Sequence, residues 1–142
     1  MLNALLAGLT ILVVGDSHLA SSGYLITTLH DDLMDRGAVV YSYGACGLSS
    51  AAWVKETRSP CGSAQRLGDG KFIKDKDEAA ATRPLGDLVA THHPDLVVVI
   101  NGDTMAAYDN PVLPKTWIWK EVSTLTKDIK KIGARCVWVG PA

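Results

Sequence analysis

Two uninterrupted apolar runs constrain this chain most: Ile11-Leu12-Val13-Val14 and Leu96-Val97-Val98-Val99-Ile100. Neither alternates with polar residues, so each, as a strand, must be covered on both faces. Strands buried on both faces belong to a parallel sheet with helices above and below. Val and Ile dominate both runs, which favours a strand over a helix at this length. The first run ends in Gly15-Asp16-Ser17-His18 and the second in Asn101-Gly102-Asp103-Thr104. In open α/β sheets ligands bind outside the carboxyl ends of strands. Ser17 therefore lies where a hydroxyl can reach solvent while the sheet holds its backbone.

The chain between and after these runs alternates strand and helix. Helical spacing over 19–36 places Leu25, Ile26, Leu29 and Leu33 on one stripe, with Ser21 or Ser22 as the cap and Gly37 as the stop. A second strand is predicted over 38–43 and a short helix over 49–54. Residues 55–83 contain Pro60 and the charged run 71–78 and keep no period. They read as an irregular insertion or flexible loop able to border a cleft. A short helix over 85–91 carries Leu85, Leu88 and Val89. Pro94 precedes the second apolar run, and 101–114 is a long loop. The clearest helix is 115–132, with Ile118, Val122, Leu125, Ile129 and Ile132 on its apolar face and Gly133 at its end. A last strand covers 135–139. This alternation predicts one α/β domain over 1–142, a flavodoxin-like three-layer α/β/α arrangement around a parallel sheet.

Composition removes several classes of function. With 142 residues, 47% of them hydrophobic, the chain can bury a real core. A net charge of −1 offers no electrostatic footprint for nucleic acid. No apolar stretch reaches the roughly 20 residues of a membrane span. Residues 1–6 lack the basic start of a signal peptide and read as a trimmed N-terminus. Three cysteines permit at most one intrachain disulfide. Cys46 and Cys61, in Gly/Ser-rich sequence, are either bridged, as in an exported protein, or two free thiols. Cys136, in an apolar run, reads as a free buried thiol. No Cys/His spacing suggests zinc, and neither a metal nor a cofactor is expected.

Gly15-Asp16-Ser17-His18 resembles the first block of the SGNH, or GDSL, hydrolases, a family of serine esterases and related acyltransferases. Val40-Tyr41-Ser42-Tyr43-Gly44-Ala45 resembles the second block, a strand ending in glycine. Leu96 to Thr104 resembles the third, although the family usually has Gly, any residue, Asn, Asp there. The resemblance spans nearly the whole chain. It implies that Ser17, beside Asp16, attacks an acyl carbonyl. It also implies that the backbone N–H groups of Ser17 and Gly44, with an asparagine amide, hold the oxyanion. Gly44 has a physical reason of its own, since a missing Cβ lets substrate approach the backbone. The amide falls to Asn101 if the loop is aligned on it, or its role to the Thr104 hydroxyl if the loop is aligned on Gly102.

A catalytic Asp and His are implied near a C-terminus that this sequence does not contain. Of the four histidines, His18 adjoins Ser17, His30 lies inside a helix, and His92 and His93 end a helix at the opposite edge of the sheet. The fold is therefore expected to be incomplete at the C-terminus, with the base brought by a further segment or a second chain. An exported esterase acting on small-molecule or carbohydrate esters of the cell envelope is the first expectation, with a cytoplasmic location left open. An acyltransferase would use the same residues. A non-catalytic carbohydrate- or acyl-binding protein, with Trp53, Trp117 and Trp119 lining its surface, is the competing one. A flavodoxin-like nucleotide binder is disfavoured by Asp16 where phosphate would sit and by the lack of a Gly-x-Gly-x-x-Gly sequence.

Overall fold

The structure is a computed structural model that describes residues 5–106 and 111–140. In chain order the strands are β1 (Thr10–Gly15), β2 (Val39–Ala45), β3 (Ser63–Leu67), β4 (Ile73–Asp75), β5 (Leu96–Ile100) and β6 (Cys136–Val139). The helices are α1 (Leu25–Asp35), α2 (Leu85–His92) and α3 (Lys115–Ile132). One sheet holds all six strands in the order β4-β3-β2-β1-β5-β6. The pairs β2–β1, β1–β5 and β5–β6 are parallel. Counting parallel strands alone, the order is 2-1-3-4, the flavodoxin-like winding.

The two apolar runs are β1 and β5, side by side at the centre, with Ile11 level with Leu96 and Gly15 level with Ile100. Leu12 and Val14 face a core built with Leu85 and Leu88 of α2 and Leu125 and Ile129 of α3. Ile11 and Val13 face the other core, against Ile26 of α1. The three-layer α/β/α expectation holds in these particulars. Each such side chain contributes about 1.5–3 kcal/mol by leaving water.

Three sequence readings need correction. First, α1 begins at Leu25 and not near Ser21 or Ser22; Tyr24 is its N-cap and makes no side-chain cap bond. Residues 17–19 form a separate 3-10 turn whose Leu19 is buried, and Gly23 at φ +85° breaks the path to the helix. Second, residues 55–83 are not irregular throughout, because β3 and β4 form an antiparallel hairpin on the free edge of β2. Their pattern is hidden because backbone hydrogen bonds, not an apolar stripe, place them. The segment is tied further by the Cys46–Cys61 disulfide, which realises the bridged alternative. Closing a 15-residue span, it contributes about 3 kcal/mol through loss of unfolded-chain entropy. The Ser59 hydroxyl lies 2.8 Å from the Cys46 carbonyl and 2.7 Å from that of Gly62, and the Thr82 hydroxyl donates to Ala52 at 2.8 Å. Third, Cys136 is free but exposed, because β6 is an edge strand. Val137 and Val139 on the same strand are also about half exposed, at 49% and 47%.

His30 joins α1 to the sheet. It is fully buried, with Nδ1 2.7 Å from the Ser42 hydroxyl and Nε2 2.8 Å from the Gly68 carbonyl. A carbonyl only accepts, so Nε2 carries hydrogen, and the neutral ring accepts from Ser42 at Nδ1. Burial pushes the His30 pKa below its ordinary 6.5, and Arg66 lowers it further while the Gly68 bond opposes. The unfolded chain therefore binds the proton more readily than the folded one, so stability is present above 6.5 and is lost as pH falls below it. Urea unfolding should show the midpoint falling between pH 7 and pH 5. A flat midpoint, together with a His30 ring that titrates at or above 6.5 by NMR, would contradict this account.

Candidate functional site

Gly15, Gly44 and Ile100 lie level across β1, β2 and β5. The residues that follow therefore emerge together at the carboxyl edge, as the sequence reading requires. Ser17 heads the 3-10 turn, partly exposed, in a shallow cleft of about 170 Å³ with His18, Ser21 and Tyr24.

Asp16 is buried and holds this edge together. Its N–H donates to the Ile100 carbonyl at 3.1 Å. Its Oδ1 accepts from the His18 N–H at 3.1 Å and lies 2.9 Å from His18 Nδ1. Its Oδ2 accepts from the Gly102 N–H at 3.3 Å. His18 Nε2 lies 3.1 Å from Oδ2 of Asp103. Both ring nitrogens thus face carboxylates. Asp103 had no role in the sequence reading; an Asp in a loop gives no signal until the fold brings it to His18. These groups line a cleft of about 340 Å³ with Ile100, Asn101 and Val139.

Gly44 is where the resemblance puts it, but the space before its α-carbon is filled. A Cβ there would overlap the backbone of Leu19, and one on Gly15 would overlap the Ile100 carbonyl. In this structure the two glycines let the Ser17 turn lie directly on the strand ends. Asn101 is buried and its Nδ2 donates to the Leu48 carbonyl at 3.2 Å. The Thr104 hydroxyl donates to that same carbonyl at 2.8 Å. Both alternatives for the third-block donor thus converge on one acceptor in the loop after β2. Asn101 Oδ1 is buried without a partner among the described residues.

The remaining histidines lie elsewhere. His30 is the core tie described above. His92 accepts or donates at 2.7 Å with the Tyr43 hydroxyl and stacks on Tyr41 with centroids 3.9 Å apart. Burial, and then the nearby Arg83 cation, hold the His92 pKa below 6.5. Burial raises that of Tyr43. His93 caps α2 in a left-handed conformation. Trp53 is buried, whereas Trp117 and Trp119 on α3 are exposed. Among the described residues no cluster of three or more His, Cys, Asp or Glu could hold a metal ion. No described helix is long and apolar enough to cross a membrane.

The chain matches no family model. Protein BcsX of Komagataeibacter xylinus is 42% identical over 141 residues, covering 99% of this chain and 53% of that protein. The chain thus spans about half the length of this relative. The crystal structure of a DUF4886 family protein from Bacteroides uniformis superimposes with a TM-score of 0.54 at 17% identity, over 93% of this chain and 48% of that one. That likeness is one of fold.

The glycine contact gives a direct test. Gly44→Ala should lower stability by about 1–3 kcal/mol, since the added methyl must push the Leu19 turn away. Gly140→Ala, whose Cβ would meet nothing within 4 Å, should leave the unfolding midpoint unchanged. Thermal denaturation of both variants checks this; equal midpoints would remove the packing role assigned to Gly44.

Proposed function

We propose that this chain carries the nucleophile half of an ester hydrolase acting by acyl-serine chemistry, with Ser17 as the nucleophile. The observation that supports it best is the position of Ser17: partly exposed, two residues beyond Gly15, which lies level with Gly44, and beside the loop that Gly102 ties to Asp16. Ser17 Oγ would attack the acyl carbonyl and pass its proton to a base. The alcohol would leave with that proton, and water would then cleave the acyl-serine. The Ser17 and Gly44 N–H groups, with Asn101 or Thr104, would hold the oxyanion. That role requires the Asn101 amide or the Thr104 hydroxyl to exchange the Leu48 carbonyl for the substrate oxygen.

All four histidines are engaged elsewhere or lie at the opposite edge. The base therefore comes from outside these 142 residues, either from a further segment or from a second chain. The greater length of the BcsX relative agrees with the former. The Cys46–Cys61 bridge suits an exported protein, where carbohydrate esters of the cell envelope are the favoured substrates. An acyltransferase of the same fold would use the same groups.

A second reading, a carbohydrate- or acyl-binding protein without turnover, is favoured by the Leu48 carbonyl, which already occupies both side-chain donors.

A fluorophosphonate probe separates the two. Applied to the longest natural form of the protein, it should label Ser17, and Ser17→Ala should abolish both labelling and p-nitrophenyl acetate hydrolysis. Without its base, the isolated chain should keep only a remnant; a serine protease lacking a triad member retains roughly 10³–10⁴-fold catalysis over water. Undiminished hydrolysis in Ser17→Ala would refute the assignment.

A further inference from the structure

A cleft of about 590 Å³ opens between the disulfide loop and the outer hairpin. Its lining includes Arg58, Pro60, Cys61, Lys74, Lys76 and Asp77. None of these residues lines the cleft at Ser17 or the one at Asp16. Arg58, Lys76 and Asp77 are exposed and Lys74 is partly buried, so a ligand in the cleft reaches all four. Three of them carry positive charge and one negative, in a chain whose net charge is −1.

The three cations come from segments that are fixed separately. Arg58 forms a bridge with Ala81, and the neighbouring Ser59 N–H donates to the Ala80 carbonyl at 2.8 Å. Lys74 lies on β4, level with Ala64 of β3. Lys76 follows that strand and precedes the turn at Asp77–Ala79. Across the cleft, Cys61 is bonded to Cys46, and the Cys46 N–H donates to the Gly62 carbonyl at 2.9 Å. Gly62 has φ +106°, and a Cβ there would stand 3.0 Å from Lys74 Cε and 3.8 Å from its Nζ. The bare glycine thus lets the Lys74 stem lie against the loop that the disulfide holds.

Among the described residues none of the three cations is in an ion pair. Asp77 offsets one of them, and the surplus is left to the cleft. Like charges gathered in one place repel, and a bound anion relieves that repulsion while it accepts hydrogen bonds from each. A cationic ligand would be repelled, and a neutral one would leave the surplus as it was. The Arg58 guanidinium offers a planar fork that fits phosphate or carboxylate, and the two ammonium groups offer point charges. Volumes of roughly 300–1,000 Å³ are those of small-molecule sites, so one inorganic ion would leave most of this cleft empty. We propose that the cleft binds an organic polyanion carrying two or more phosphate or carboxylate groups. The site stands independently of any chemistry at Ser17.

Titration of the ¹⁵N-labelled protein with fructose bisphosphate and, separately, with citrate tests this by NMR. The backbone resonances of Cys61, Gly62, Lys74 and Lys76 should shift saturably with at least one of the two. A response to the bisphosphate alone assigns phosphate as the group recognised, and a response to citrate alone assigns carboxylate. Arg58→Gln and Lys74→Met should each weaken that binding about fivefold or more, the loss of one hydrogen bond from a charged group. The Arg58 side chain is exposed and Lys74→Met keeps the stem beside Gly62, so neither change should alter the rest of the spectrum. Lys127→Gln, which removes an exposed cation from α3, should leave the affinity unchanged. Four results would overturn the proposal: no saturable shift with either anion, inorganic phosphate bound as tightly as both, affinity unchanged in both cleft variants, or an equal loss in Lys127→Gln.

Discussion

Burial of β1 on both faces is the constraint from which the rest of the fold follows. Ile11 and Val13 need a layer on one side and Leu12 and Val14 a layer on the other. Here helices supply both layers, α2 and α3 on one face and α1 on the other. Parallel neighbours then require long crossovers, and α1 and α2 belong to those crossovers. Because β1, β2 and β5 point the same way, their carboxyl ends meet at one edge. Residues distant in sequence thereby share one cleft, and no residue of that cleft had to specify it.

What was legible in the sequence was whatever the core writes as a period. The apolar stripe of α3 marked Lys115–Ile132 correctly, with Gly133 in the left-handed stop. The runs of β1 and β5 gave the two central strands. What stayed hidden is held by backbone and single contacts. The Ser-Ala-Gln-Arg-Leu of β3 has no stripe, and only the free edge of β2 makes it a strand. The start of α1 moved because the 3-10 turn at Ser17 must place Leu19 on Gly44, which helical spacing cannot report. Cys136 looked buried because its neighbours are apolar, but an edge strand exposes such residues. The candidate site was legible in its positions and not in its bonds. Ser17, Gly44 and Asn101 reach one edge, while the commitment of His18 to two carboxylates and of Asn101 to Leu48 depends on loop geometry alone.

The Leu48 carbonyl is the group that the oxyanion role proposed for Asn101 or Thr104 must displace. It lies in the loop after β2 and accepts from both Asn101 and Thr104. The first turn of the same loop is pinned by the Cys46–Cys61 bond. Nearby, the Ser49 hydroxyl and the Ala51 N–H donate to Glu121 of α3. A carbonyl held at both ends of its loop keeps its two donors aligned without substrate. Such an edge stays folded when empty, and the proposed oxyanion role would require an exchange of hydrogen bonds there. Exchange of one bond for another of equal kind costs little; exchange for a bond to developing negative charge is favourable, since charge-assisted bonds are roughly twice as strong.

β2 carries Gly44 and Tyr43 side by side. Alternation along a strand sends successive side chains to opposite faces. Gly44 therefore turns its bare α-carbon to the Leu19 turn, while Tyr43 beside it packs with Trp53 in the core shared with α2 and α3. β1 and β3 hold β2 at its sides, and a core holds it on each face. The position of Gly44 is thus set by packing on four sides and not by any group in the cleft it borders.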